Sequence, residues 1–328
     1  CITEKRKVIL LKKEDFMLNT RKAGIVGCGF VGAACAYTLM QNGLFDELVL
    51  TDIDRARAEG EAMDISHGLL FARPMNIYAG GYDDLTDAAI VIITAGANQK
   101  AGETRLDLVK KNARILRSVL DELKKRNYGG MLLIVSNPVD ILTRVAQQYS
   151  GLPENRVFGS GTVLDTARLR YLLGEHLSVD SRSVHAFIIG EHGDSEIAVW
   201  SSANVSGVPM HEFCEMRGFY DHENAMREIG ENVKNCAYEI IERKGATYYG
   251  IAMAVRRICE AVMRDEKSIL PVSCALHGEF GIDGATLSIP CIVGKEGAEK
   301  IIPISLSDEE HTKLHYSAEM LKGIFAEL

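Results

Sequence analysis

A glycine loop followed at a fixed distance by an acid leaves this chain few folds to choose from. Gly27-Cys28-Gly29-Phe30-Val31-Gly32 comes directly after the apolar run Ala23 to Val26 and opens a helical pattern over Val31 to Gln41. A second apolar run, Leu48 to Thr51, ends in Asp52, 20 residues after Gly32. A GxGxxG match alone says little, but this strand, helix, strand and terminal acid together describe a βαβ unit built to bind a dinucleotide. Gly27 permits the tight turn, Gly29 lets a pyrophosphate approach the backbone, and Gly32 lets helix and strand pack closely. The helix N-terminus faces the phosphates. Asp52 would accept hydrogen bonds from the adenosine ribose and repel a 2′-phosphate, which favours NAD over NADP.

The same alternation continues. Strands are expected at Asn76 to Ala79, Ile90 to Thr94 and Met131 to Ser136, and helices at Arg55 to Leu70, Arg105 to Arg126 and Asp140 to Ser150. Near-continuous apolar strands between helices imply an α/β fold with a doubly wound parallel sheet of the Rossmann type. After about Gly159 the rhythm changes. A helix over Leu164 to Leu177 is followed by strands at Val184 to Ile189 and Ile197 to Trp200, two helices within Glu223 to Met263, strands at Ser268 to Cys274 and Ala285 to Val293, and a helix over Ser307 to Leu328. This reads as an α+β substrate domain. The 328 residues suit about two domains of roughly 150 residues each, here a dinucleotide-binding domain over 17–160 and a catalytic domain over 161–328.

Composition excludes several classes. The 37 basic and 45 acidic side chains give a net charge of −8, which argues against a nucleic-acid partner. The longest uncharged apolar run, Ala88 to Ala97, is shorter than the ~20 residues of a membrane helix. The eight cysteines include no CxxC pair and sit largely in apolar segments, as reduced thiols of a cytoplasmic protein would, and no metal is expected. The first 16 residues look foreign to the rest: Met17 precedes the first convincing strand and is the expected native start, with 1–16 a non-native or disordered extension.

The second chemical signal is Ile188-Ile189-Gly190-Glu191-His192-Gly193-Asp194-Ser195. His192 sits in a glycine-flanked turn after an apolar strand, where a small substrate could reach it. Asp165 and Arg168 lie three apart at the start of an expected helix, hence on one face. Hydride transfer between a 2-hydroxy acid and NAD needs a base for the hydroxyl proton, a carboxylate to orient the imidazole, and a guanidinium to hold the substrate carboxylate.

These residues, with Thr94 to Gln99, Gly102 to Arg105, Ser136 to Asp140, Gly159 to Asp165 and Lys244 to Thr247, resemble the L-lactate dehydrogenases of the bacterial branch, from Lys22 to the C-terminus. The resemblance implies that His192 accepts and donates the proton, that Asp165 orients it, and that Arg168 clamps the substrate carboxylate. Arg105 would polarise the reacting C–O bond from a mobile loop at about 96–107 that closes over the site. Asn137 would contact both nicotinamide and substrate, and Thr247 would line the pocket. Further cofactor contacts are implied at Val31, Arg57, Tyr82, Gly96, Ala97, Ser118, Val135 and Ser160.

Gln99 stands where the related malate dehydrogenases carry arginine, so the resemblance implies pyruvate and L-lactate rather than dicarboxylates. Arg170 and His185 match positions at which allosteric bacterial members hold fructose 1,6-bisphosphate across a subunit interface of a homotetramer. Fermentative glycolysis is the expected setting. Ala101 stands where many relatives have proline, and Cys28 where alanine is usual. The alternatives are a dehydrogenase of larger 2-hydroxy acids, a malate dehydrogenase, or a non-catalytic NAD-binding protein.

Overall fold

The computed structural model describes residues 18–97, 102 and 104–328. The expectations for residues 1–16, Met17, Gln99 and Ala101 fall outside them. Strand β1 (Asn19–Val26) leads through the glycine loop into helix α1 (Phe30–Asn42), followed by β2 (Glu47–Thr51), α2 (Arg55–His67), β3 (Asn76–Ala79), β4 (Ala88–Ile93), α3 (Arg105–Lys125), β5 (Met131–Ile134), α4 (Val139–Ser150) and β6 (Val157–Gly159). These strands pair in parallel, in the order β6-β5-β4-β1-β2-β3. The interiors of β4 and β5 are wholly apolar because helices cover both faces of the sheet.

The chain then forms α5 (Val163–Leu177), β7 (Val184–Ile189), β8 (Ile197–Val205), β9 (Val208–Pro209), α6 (Met210–Met216), α7 (His222–Lys244), α8 (Tyr249–Met263), β10 (Ser268–His277), β11 (Asp283–Gly294), β12 (Gly297–Ile301) and α9 (Asp308–Ala326). Strands β7-β8-β9 make a separate sheet. The other three continue the first one: β10 runs antiparallel beside β6 through Ser273 opposite Gly159, and β11 and β12 extend the edge, so nine described strands share a sheet. The parallel reading holds for the first six strands and stops there. An apolar run reports burial on both faces but not the direction of the neighbouring strand. The sequence reading also lacked β6, β9, α6 and β12, which are too short or too polar to show a period, and it ended β8 at Trp200, five residues early.

Packing ties the two halves together at the glycine loop. Cys35, Ala36 and Leu39 of α1 share a core with Ala252, Val255, Ile258 and Cys259 of α8. The described cysteines are all free, and all but Cys236 are buried, so they act as small apolar side chains. Burial pushes the Cys35 thiol up to about 12. Two glycines of the loop have no substitute: a Cβ on Gly32 would lie 1.9 Å from the Gly27 carbonyl oxygen, and Gly27, at φ 104°, would press a Cβ to 2.6 Å from the Ala95 nitrogen.

Helix α9 is docked by one buried carboxylate. Glu310 accepts from the Ser307 backbone N–H at 2.8 Å in a capping box, and from the N–H groups of Trp200 and Ser201 on β8 at 2.7 and 3.1 Å. Glu310→Ala therefore leaves buried donors without partners and should lower stability by about 2–3 kcal/mol, whereas Ser307→Ala, which loses a cap alone, should cost about 1 kcal/mol. Urea denaturation of both variants reads this. Equal losses would refute the docking role.

Candidate active site

His192 follows β7 in a turn built almost entirely from backbone and carboxylate contacts. Gly190, at φ 91°, exchanges two backbone hydrogen bonds of 2.9 Å with Ser288 of β11. The Glu191 N–H donates to the Ser317 hydroxyl of α9, and the Glu191 side chain turns back to accept from the Ser195 hydroxyl at 2.7 Å. The His192 N–H donates to Asp140 Oδ2 at 2.7 Å. Asp140, at the start of α4, also accepts from Ser273 and Ser288 hydroxyls at 2.6 and 2.9 Å. Burial raises the Asp140 carboxyl to about 6, against the pull of these donors.

The His192 ring is fixed as firmly as its backbone. Its Nδ1 lies 2.6 Å from Asp165 Oδ2, and Asp165 Oδ1 accepts from Arg168 Nη1 at 2.7 Å. Asp165 is buried, 2% exposed, while the imidazole keeps 27% exposure. Desolvation pulls the imidazolium down, but Asp165, with Asp140 and Glu196 behind it, more than offsets this and holds it up at about 9. The Asp165 carboxyl is lowered by His192 and Arg168 despite its burial. With Nδ1 committed, Nε2 is the ring nitrogen left for proton exchange.

A cavity of about 410 Å³ opens here, lined among others by Arg105, Asn137, Asp165, Arg168, His192 and Glu196. The expected acid, base and carboxylate clamp thus meet, although they come from α5 and from the turn after β7. Arg105, the first residue of α3, reaches across to Glu191 Oε1 at 2.9 Å and Asp194 Oδ2 at 2.6 Å. Thr247 lies in the link between α7 and α8 and is not among the residues that line this cavity. Two contributors escaped the sequence reading. Glu196, just before β8, is buried against the couple, and Asn112 of α3 accepts from the Ala97 N–H at 2.8 Å and donates to the Asn137 carbonyl at 2.8 Å. The signal for Asn112 was a polar residue on the apolar face of a helix.

The glycine loop faces the same side. Among the described residues, a Cβ on Gly29 would meet nothing within 4 Å and no side chain caps α1, which leaves room beside the helix N-terminus. This suits a pyrophosphate. Asp52 accepts from the Cys28 N–H at 2.5 Å and from the Asp54 N–H at 2.9 Å, so it also ties the loop to the next turn. Arg57 and Tyr82 are close enough to act on Cys28 and to feel Asp52, respectively. Gly96, Ala97, Val135 and Ser160 follow the C-terminal ends of β4, β5 and β6, where ligands bind in such sheets. Val31 is half-buried in the first turn of α1. Ser118 is exposed, its hydroxyl turned back to the Ile115 carbonyl.

Comparisons with known proteins agree with this geometry. Residues 21–159 match the lactate/malate dehydrogenase NAD binding domain, and residues 162–328 match the alpha/beta C-terminal domain of the same family. An L-lactate dehydrogenase of Acetivibrio thermocellus is 53% identical over 94% of this chain and 97% of its own length. One from Priestia megaterium is 48% identical over 94% of this chain and 97% of its own. The crystal structure of a minor L-lactate dehydrogenase from Enterococcus mundtii in its ligands-bound form superposes with a TM-score of 0.92 at 45% identity, over 94% of this chain and 99% of that one.

If Asp165 is what keeps the imidazole charged, Asp165→Asn should drop the His192 pKa from about 9 to below its ordinary 6.5, because desolvation is then weakly opposed. NMR titration of the imidazole reads this. An unaltered titration would remove Asp165 from the argument.

Proposed function

The chain belongs to the lactate/malate dehydrogenase family, and from that premise we propose that it is an NAD-dependent L-lactate dehydrogenase interconverting pyruvate and L-lactate. The observation that carries this reading is the contact of His192 with Asp165 in a cavity that also reaches Asn137, just after β5, with Arg168 bonded to the other oxygen of the same carboxylate.

NAD, when bound, takes up or returns the hydride at the substrate's second carbon. Gly27, Gly29, Gly32 and Asp52 would hold its phosphates and ribose, helped by Val31, Arg57, Tyr82, Gly96, Ala97, Val135, Asn137 and Ser160; for Ser118 only the family resemblance speaks. In the reduction, His192 Nε2 gives its proton to the developing alkoxide of pyruvate, and in the oxidation it takes the hydroxyl proton back. At pH 7 an imidazole held up to about 9 starts charged, as the reduction requires. Arg168 pairs with the substrate carboxylate while Asp165 keeps it in position. Arg105 polarises the C–O bond after exchanging Asp194 for substrate, and Glu191, buried beneath it, keeps its guanidinium nearby.

We infer further that the protein works in the cytoplasm at the last step of fermentative glycolysis, as a homotetramer activated by fructose 1,6-bisphosphate. The exposed apolar side chains Leu70, Phe71 and Met253 support association. Arg170 on α5 and exposed His185 on β7 belong to packed neighbours and are not among the residues that line the cavity beside Arg168, which suits a separate ligand of several negative charges.

Steady-state reduction of pyruvate by NADH tests the reading. The wild-type chain should turn over, His192→Ala should lose about 10²–10⁴ in rate, and fructose 1,6-bisphosphate should lower the pyruvate KM. No turnover refutes the activity, and indistinguishable kinetics with and without the bisphosphate refute the activation. Gln99→Arg should shift preference toward oxaloacetate, since leaving a buried charge unpaired costs roughly 3–5 kcal/mol, or about 10²–10³·⁵ in discrimination. An unchanged ratio of kcat/KM for the two substrates would exclude Gln99 as the selector.

A further inference from the structure

The proton-transfer centre holds one carboxyl group for which the scheme above has no use. Glu196 is buried, 6% exposed, immediately before β8, and its Oε1 has no hydrogen-bond partner among the described residues. One side-chain ligand atom from each of Glu196, Asp165 and His192 lies within 4.8 Å of the others, and Glu196 lines the same cavity. A buried carboxyl oxygen without a partner beside a catalytic imidazole is costly to keep.

We propose that Glu196 is the third acid of this centre, a positioning residue that acts through His192 by keeping its imidazolium charged as the pH rises. This inference rests on the dehydrogenase reading of the site. The groups that face Glu196 are Asp165 and Arg168 from α5, His192 from the turn and Lys234 from α7, with Asp140 of α4 behind the turn. Burial and the Asp165 charge favour the protonated acid, while His192, Lys234 and Arg168 favour the anion, and the balance raises Glu196 to about 8. At pH 7 the centre is a neutral carboxylic acid, an ionised Asp165 and a protonated imidazole. As the pH rises, the first proton leaves from Glu196 to solvent, and the new anion stabilises the neighbouring imidazolium, whose own proton leaves later. Glu196 thereby gives up a proton in place of His192 over the range in which pyruvate reduction would otherwise fail.

The test is E196Q, which fixes the side chain in its neutral shape. The upper limb of the pH profile of kcat/KM for pyruvate should move down by about one pH unit, the lactate-oxidation limb should move down with it, and the difference from wild type should be smallest near pH 6. The NMR titration of His192 in the NAD-free protein should move the same way. Superimposable profiles and titrations would overturn the proposal, and so would a loss by the same factor at every pH, which is what a merely structural glutamate would give. Infrared spectra of the wild-type protein provide a reading that needs no variant. A protonated carboxyl band present at pH 7 should disappear by pH 9.5, and its absence at pH 7 would also overturn the proposal. A wild-type chain that does not reduce pyruvate sinks the functional reading instead, and leaves the two spectroscopic results to decide the role of Glu196.

Discussion

His192 is held by two carboxylates that come from different stretches of chain, one on its ring and one on its backbone, and the arrangement of the site depends on that double hold. Asp165 fixes the ring through Nδ1, and Asp140 fixes the backbone through its N–H. Each carboxylate has other work. Asp165 also accepts from Arg168, and Asp140 also accepts from hydroxyls on β10 and β11. A catalytic histidine on an unsupported glycine turn would sample many positions. Here hydrogen bonds tie the ring and the turn to α4 and α5, which would keep a base within reach of a small substrate.

The centre is rich in acids for a site proposed to receive an anion. Asp140, Asp165, Glu191, Asp194 and Glu196 all lie around it, against His192, Arg105, Arg168 and Lys234. The arrangement would avoid repelling a substrate carboxylate because most of these acids are already engaged. Asp165 is shared between two cations, Glu191 and Asp194 hold Arg105, and Asp140 is saturated by donors. Arg105, Arg168, His192 and Lys234 line the same cavity and offer it positive charge. Arg105, 53% exposed, can give up Asp194 at little cost because that pair is solvated on both sides, whereas its pair with buried Glu191 is kept.

The site also shows why the two halves of the chain are not independent bodies. The sheet that presents the glycine loop continues through β10 to β12, and α8 from the second half packs on α1 from the first. The cavity, the glycine loop and the His192 turn therefore share one framework. Asn112 extends it by joining the segment after β4 to the Asn137 carbonyl, so the segments that follow β4 and β5 are linked through a buried amide.

Much of this was legible in the residues alone. The period of the strands, the spacing from Gly32 to Asp52 and the glycines around His192 each encode a local constraint, and local constraints survive without tertiary context: the βαβ order, the loop over the helix N-terminus and the shared face of Asp165 and Arg168 all appear as read. What the sequence could not carry were relations between distant segments. The antiparallel addition of β10 to β12 depends on which edge the chain returns to, and burial patterns are blind to strand direction. The partners of Arg105, the anchoring of the turn by Asp140 and Ser317, and the burial of Glu196 beside the imidazole join residues up to 126 positions apart. A carboxylate has no spacing signature for a partner on another element. Its role is fixed only when folding decides which charges share a dry interior, and there the same side chain becomes a surface solute, an ion-pair partner or a proton store according to its neighbours.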